Sequence, residues 1–125
     1  ALDASVKYAN EREQFGKKIA EFEMIQDQIA EMFVETQAAR LMVYRAAWLK
    51  DKGVRNSLEV STAKYFAAET AVNATGLAVK IFGSYGFSSE YPVERMFRDA
   101  KSFQIVEGTS NIQKMIISSF VLGKR

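Results

Sequence analysis

Within the stretch KSFQIVEGTSNIQKMII, residues 101–117, one carboxylate, Glu107, stands between an apolar pair, Ile105 and Val106, and a small polar run, Gly108, Thr109 and Ser110. A carboxylate so placed is a candidate general base. Apolar neighbours disfavour its ionised form and raise its pKa toward the range useful for proton abstraction, whereas the free N–H groups of a nearby helix N-terminus favour negative charge. The sequence does not decide the balance. Gly108 to Ser110 also offer donors that could hold an anion or a polar cofactor edge beside the carboxylate. The plainer reading is a solvated loop glutamate that precedes a helix cap, and it is the commoner situation.

Two other stretches could bind rather than react. In NEREQFGK, residues 10–17, Arg12 and Lys17 could meet a diphosphate and Phe15 could pack beside an aromatic ring. The alternative is a charged helix end with Phe15 as a core anchor. In KIFGSYGF, residues 80–87, two glycines permit close approach of a ligand to the backbone, although a lone Gly-x-x-Gly turn is weak evidence. Met24, Met32, Met42 and Met96 read as core and Trp48 as packing. Asp99 with Arg98 and Lys101 reads as a surface charge group.

Composition removes most other chemistry. With no cysteine and no histidine, disulfides, thiolate metal sites, histidine triads and the usual zinc sites are excluded, which leaves carboxylate, Lys, Tyr, Ser, Thr and Arg. A net charge of +2, from 17 basic and 15 acidic side chains, is too balanced to argue for nucleic acid or a membrane surface. No apolar run approaches the ~18–20 residues of a membrane span, and no signal peptide is visible, so a cytoplasmic or organelle-matrix location is expected. The 125 residues suit one domain. Ala1 opens in what reads as mid-helix sequence, so a domain of a longer protein is expected.

Long helices must position these residues, because the single proline, Pro92, and the glycines lie between segments. A helix is expected over residues 1–13, with Leu2, Val6 and Ala9 on one face, then a break at Gly16. From Phe22 to Lys50 the stripe Ile25, Ile29, Met32, Phe33, Thr36, Val43 and Ala47 predicts a long amphipathic helix, ended by Gly53 as a left-handed cap. Asn56 with Glu59 reads as a capping-box start for the next helix, whose Ala63, Ala67, Ala68, Ala71, Ala74 and Gly76 form a small-residue surface. Gly83 to Gly86 reads as a turn, and Pro92 as the first turn of a helix reaching Ser102. Ser110 with Gln113 reads as the capping box of a last helix ending near Leu122. No segment alternates long enough to read as a strand. The expected fold is all-α: an antiparallel up-and-down four-helix bundle with a short extra helix.

Taken together, YANEREQFGKKI, IQDQIAEM, RAAW and KIFGSYGFSSEYPVERMFRDAKSFQIVEGTSNIQ resemble the C-terminal helical domain of the acyl-CoA dehydrogenase family over essentially the whole chain. The last stretch is the most specific. The resemblance implies a flavoenzyme that makes an α,β double bond in an acyl thioester, the substrate being an acyl-CoA or acyl-carrier-protein thioester. Glu107 would remove the α-proton while the β-hydrogen leaves as hydride to FAD. The Glu107 backbone N–H, with a flavin ribityl hydroxyl, would polarise the thioester carbonyl, and Gly108 would let the substrate lie close to the chain.

For the cofactor, the resemblance implies that Arg12, Gln14 and Phe15 reach the FAD diphosphate and adenine side of a neighbouring subunit, and that Thr109, Ser110 and Asn111 lie at the flavin end. Gly83 belongs to the same cofactor set. Departures from the family pattern fall at Glu23 and Lys80, where glutamine is usual, and at Ser84, where glycine is usual; Lys80 could still meet a phosphate and Glu23 an amine or hydroxyl. No metal is implied. The family's N-terminal helical and middle β domains are not among these residues. Further implications are a homodimer or homotetramer and electron transfer to an electron-transferring flavoprotein. The alternative is a non-catalytic helical bundle of the same ancestry serving oligomerisation or interaction.

Overall fold

The computed structural model describes residues 1–124, and it is all-α apart from one two-residue hairpin. Its helices are α1 (Leu2–Glu11), α2 (Glu23–Asp51), α3 (Ser57–Phe82), α4 (Val93–Ser102) and α5 (Ser110–Val121). Only α2 and α3 are long, at 29 and 26 residues, so the bundle is built on one antiparallel pair with three shorter helices laid against it. The pair turns at Gly53, whose φ of +68° is the left-handed conformation that glycine adopts without a Cβ penalty.

Polar links run along the α2–α3 pair. The Asn73 amide donates to Glu31 at 3.1 Å and Glu35 at 2.9 Å, and Arg45 meets Glu59 at 3.4 Å. Asn56 begins α3, but its side chain donates to the Ala46 carbonyl at 2.8 Å and makes no cap hydrogen bond. The expected reciprocal pair of Asn56 and Glu59 is therefore not formed, because each side chain has a partner on α2. In α2 the buried positions are Met32, Ala39 and Ala46, seven residues apart. Phe33, Val43 and Ala47, expected on the inner stripe, are exposed. The inner seam of α2 is this seven-residue repeat, two of whose three positions are alanines that allow close backbone approach, so the larger apolar residues beside it stay outside.

α3 has the most buried positions, ten in all, among them Ala63, Ala68, Ala74, Leu77, Ala78, Ile81 and Phe82. It touches α1, α2, α4 and α5. The principal core gathers at its C-terminal half, where Leu77, Ala78, Ile81 and Phe82 pack with Ala9, Ile19, Met32 and Val93. In α1 the inward face is Ser5 and Ala9 rather than Val6, which is partly exposed, because small residues let α1 approach the core closely. Met24 and Trp48, expected inside, are 76% and 58% exposed on α2, and Trp48 lies under the Lys52 ammonium instead. No helix among the described residues is long and apolar enough to cross a membrane.

Met32 and Ser5 are both fully buried, and the Ser5 hydroxyl has no hydrogen-bond partner among the described residues. Met32→Ala is expected to cost about 2–5 kcal/mol, since it empties a filled core position. Ser5→Ala is expected to be neutral or to stabilise by about 1 kcal/mol, since it removes an unpaired buried polar group. Denaturant midpoints check both, and a large loss from Ser5→Ala would contradict the assignment of its hydroxyl as unpartnered.

Candidate active site

The Arg12 motif lies in a tight hairpin that the sequence reading did not anticipate. Glu13 pairs with Lys18 and Gln14 with Lys17 in two short strands, β1 (Glu13–Gln14) and β2 (Lys17–Lys18), joined by Phe15 and Gly16. Both joining residues have positive φ, +54° and +79°, as a type I′ turn requires. Phenylalanine is a poor residue for that conformation, which is why the hairpin carries no ordinary sequence signal. Phe15 is 92% exposed, so it is not a core anchor. Lys18 lies 2.6 Å from Glu13 across the hairpin, and its ammonium, by hydrogen bond and charge, holds the Glu13 carboxyl below the usual range. Gln14, Phe15 and Glu23 share an open groove of about 590 Å³ with Lys17, Phe22 and Ile81.

An aromatic cluster fixes this hairpin against the glycine turn. Tyr8 stacks on Phe82 with ring centroids 4.0 Å apart, and Tyr91 meets both rings edge-on at 6.1 and 5.5 Å. Tyr85 lies 5.2 Å from Tyr91, and the Arg12 guanidinium sits 5.5 Å over the Tyr85 ring. Burial pushes the Tyr8 phenol up, and the Arg12 charge opposes that shift. Gly83 ends α3 at φ +61°, and Gly83–Phe87 form a short 3₁₀ turn rather than an irregular one. A Cβ on Gly86 would stand 2.9 Å from the Val79 Cα and carbonyl carbon, so that glycine is required by packing. Lys80, Gly83 and Ser84 are exposed at this end of α3.

Glu107 lies elsewhere, in the loop between α4 and α5. That loop is closed at its neck by the Ser110 N–H donating to the Gln104 carbonyl at 2.9 Å. Below the neck, one carboxylate of α3 accepts from both sides: Gln104 Nε2 donates to Glu69 Oε2 at 2.8 Å and Ser110 Oγ to Glu69 Oε1 at 2.6 Å. Lys101 holds the other end of the Gln104 amide at 2.6 Å, and Lys64 donates to the Phe103 carbonyl. The helix cap is Thr109, whose Oγ1 accepts from the Ile112 N–H at 3.3 Å. Ser110 and Gln113 do not form the expected capping box, because Ser110 is engaged with Glu69 and the buried Gln113 donates to the Gly108 carbonyl at 3.2 Å.

At the tip, Glu107 and Gly108 have φ of +55° and +91°. A left-handed non-glycine residue costs about 1–2 kcal/mol, so the surroundings must hold Glu107 in place. Its carboxylate takes part in no hydrogen bond or ion pair among the described residues. The N–H groups of Glu107, Gly108 and Thr109 likewise donate to no acceptor among them. The chain does not enclose Glu107, since Ile105, Val106 and Glu107 are all exposed. Asn111 is exposed in the first turn of α5, and the Asp99 group is a surface one, with Arg98 paired to Glu94 at 2.8 Å. From Glu69 to Phe82 is about 20 Å along α3 at ~1.5 Å per residue, so the first two motifs come together and the Glu107 loop stands apart from them.

The model for the acyl-CoA dehydrogenase C-terminal domain matches residues 1–122. The chain belongs to the acyl-CoA dehydrogenase family. Glutaryl-CoA dehydrogenase of Desulfococcus multivorans is 53% identical over 125 residues, 99% of this chain and 32% of that protein. A subunit of the caffeyl-CoA reductase–Etf complex of Acetobacterium woodii is 48% identical, with 99% of this chain and 33% of that protein covered. A glutaryl-CoA dehydrogenase solved in complex with glutaryl-CoA superposes with a TM-score of 0.95 at 52% identity, over 99% of this chain and 32% of that one. Butyryl-CoA dehydrogenase of Megasphaera elsdenii gives a TM-score of 0.95 at 42% identity, over 97% and 32%. This acyl-CoA dehydrogenase domain therefore spans about a third of the length of the relatives it matches.

Sequence reasoning missed Glu69 and Gln104. The available signal was a lone carboxylate in the alanine-rich run AAETA of a helix expected to be buried. The strain at Glu107 is testable directly: Glu107→Gly should raise stability by about 1 kcal/mol. Gly108→Ala should lower it by a similar amount or more, because its Cβ would lie 2.6 Å from Gln113 Nε2 at a positive φ. Denaturant unfolding of both variants measures the pair, and a loss of stability in Glu107→Gly would contradict the strain.

Proposed function

We propose that this domain carries the catalytic base of an FAD-dependent acyl-CoA dehydrogenase, with Glu107 abstracting the α-proton of an acyl thioester. The observation that carries the reading is the Glu107 tip: a free carboxylate on a left-handed residue beside three unpaired amide N–H groups, on a loop whose neck is fully hydrogen-bonded. Free donors next to a free base suit enolisation, because a thioester carbonyl polarised by the Glu107 N–H makes its α-proton acidic enough for a carboxylate to take. Gly108 would meet the substrate through its backbone, since its Cβ direction is taken by Gln113. The same carboxyl, once protonated, can return a proton to the α-carbon, so the base serves the reaction in either direction. Coenzyme A is the proposed carrier, in keeping with the names of the glutaryl-CoA and butyryl-CoA relatives. No residue is assigned to a metal.

The donor set fits a flavin dinucleotide. Arg12, held over Tyr85, and Lys80 supply cations for a diphosphate, Gln14 an amide, and the exposed Phe15 a ring face for an adenine; Gly83, Ser84 and Glu23 border that region. At the other end Thr109 keeps its hydroxyl proton available, since its oxygen is the acceptor in the cap, and Asn111 has a free amide. Ser110 contributes as a clamp on the loop rather than as a free donor. FAD, when bound, supplies the hydride acceptor. The separation of the two residue groups along α3 favours a homo-oligomer in which the Arg12 end serves a neighbouring subunit's cofactor. Electron-transferring flavoprotein is the proposed electron partner, as the Etf complex of the Acetobacterium relative suggests.

In the protein encoded by the whole gene, Glu107→Gln is expected to slow flavin bleaching by butyryl-CoA or glutaryl-CoA by about 10²–10⁴-fold. Bound FAD should be retained, because the cofactor residues are untouched. Bleaching at the wild-type rate would remove Glu107 from the role of base.

A further inference from the structure

We propose that Glu69 is a positioning residue for Glu107: from the buried helix α3 it clasps both ends of the α4–α5 loop and so holds the base in its left-handed conformation. This rests on the reading of Glu107 as the base. The two carboxylates are in opposite situations. Both oxygens of Glu69 are engaged, one by Gln104 and one by Ser110, and those residues also meet through the Ser110 N–H and the Gln104 carbonyl. Glu107, three residues from one end of the clasp and three from the other, makes no such bond.

The loop's other ties are a bond from Gln113 of α5 to the Gly108 carbonyl, one from Lys64 to the Phe103 carbonyl, and local backbone turns; among side chains Glu69 alone joins residues on both sides of the tip. Phe103, Ile105 and Val106 are exposed, so side-chain packing within this chain does not fix the tip. A non-glycine residue such as Glu107 persists in the left-handed region only where the surrounding structure over-determines it. Glu69 does this from a helix enclosed by the rest of the bundle, and charge assistance strengthens both of its bonds. Lys101 orients the Gln104 amide so that its NH₂ faces Glu69, which extends the clasp back to α4. A carboxylate is the suited group, because two donors converge on it from different segments. Glutamine can partly replace it, with its carbonyl accepting from Gln104 and its NH₂ donating to the Ser110 oxygen.

The test uses the complete protein and compares Glu69→Ala, Glu69→Gln and Asn73→Ala. Asn73 lies one turn along α3 and makes a similar polar link, but to Glu31 and Glu35 of α2 and not to the loop. Deuterium exchange of the hydrogen-bonded loop amides, those of Gln104, Ile105, Val106 and above all Ser110, whose N–H donates to the Gln104 carbonyl, should quicken at least about tenfold in Glu69→Ala and stay near wild type in Glu69→Gln and Asn73→Ala. In parallel, kcat for thioester dehydrogenation should fall about 10- to 100-fold in Glu69→Ala with KM little changed, since a displaced base loses reaction rate rather than substrate binding. If Glu69→Ala does not fold, Gln104→Ala opens the other half of the clasp and should show the same signature in milder form. Unchanged exchange in Glu69→Ala, or raised exchange with unchanged kcat while Glu107→Gln is inactive, overturns the proposal. Full activity of Glu107→Gln would instead overturn the assignment of the base, with the exchange result still reporting on the clasp.

Discussion

The enclosure of α3 is the constraint on which the rest of this domain depends. A helix surrounded by α1, α2, α4 and α5 must be narrow, and its alanines and threonines make it so. The polar residues it buries are small, Ser61, Thr70 and Thr75, and its larger, partly buried Glu69 is bonded at both oxygens. Phe82 at its C-terminal end seats the aromatic cluster under Arg12, and Glu69 near its middle fastens the Glu107 loop. One rigid element thus sets the position of both candidate regions, and the separation between them is a length of helix rather than a flexible linker.

Backbone strain is confined to places where chemistry is proposed. Among the described residues the non-glycine positions with positive φ are Phe15 and Glu107, one in each proposed binding region. Neither conformation is favoured by its residue type, and neither side chain is buried. At Phe15 a two-residue hairpin imposes the geometry, and an exposed ring is the result. At Glu107 a hydrogen-bonded neck imposes it, and the result is a carboxylate and adjacent amides left without internal partners. Both groups are open to solvent, so water meets them in the free domain and they stay available to a ligand.

The helices were legible because their ends carry chemistry with a local cause: Gly53 after α2 and Pro92 before α4 punctuate as their backbone preferences require. Family membership was legible from the motifs at Arg12, Gly83 and Glu107. Less legible was which apolar face each helix turns inward. Trp48, Met24, Phe33 and Val43 have the composition of a core and stand outside, since sequence pattern marks a face as apolar without saying what covers it. The hairpin was hidden because phenylalanine is not a turn residue, and the side-chain cap bonds expected from Asn56 and Ser110 do not form because both side chains have tertiary partners, although Asn56 does begin α3. Glu69 escaped notice for the same reason: its importance comes from residues 35 and 41 positions away in the chain.

The most direct measurement of the central claim is a structure of the complete protein with an unreactive acyl-CoA analogue bound, read as the separation between the Glu107 carboxylate and the α-carbon. The account predicts an oxygen within about 3–3.5 Å of that carbon, the distance for proton transfer from a near-attack geometry, with φ of Glu107 still positive and the Glu69 clasp closed. A carboxylate held beyond roughly twice that distance, with another acid or base against the α-carbon, would contradict it.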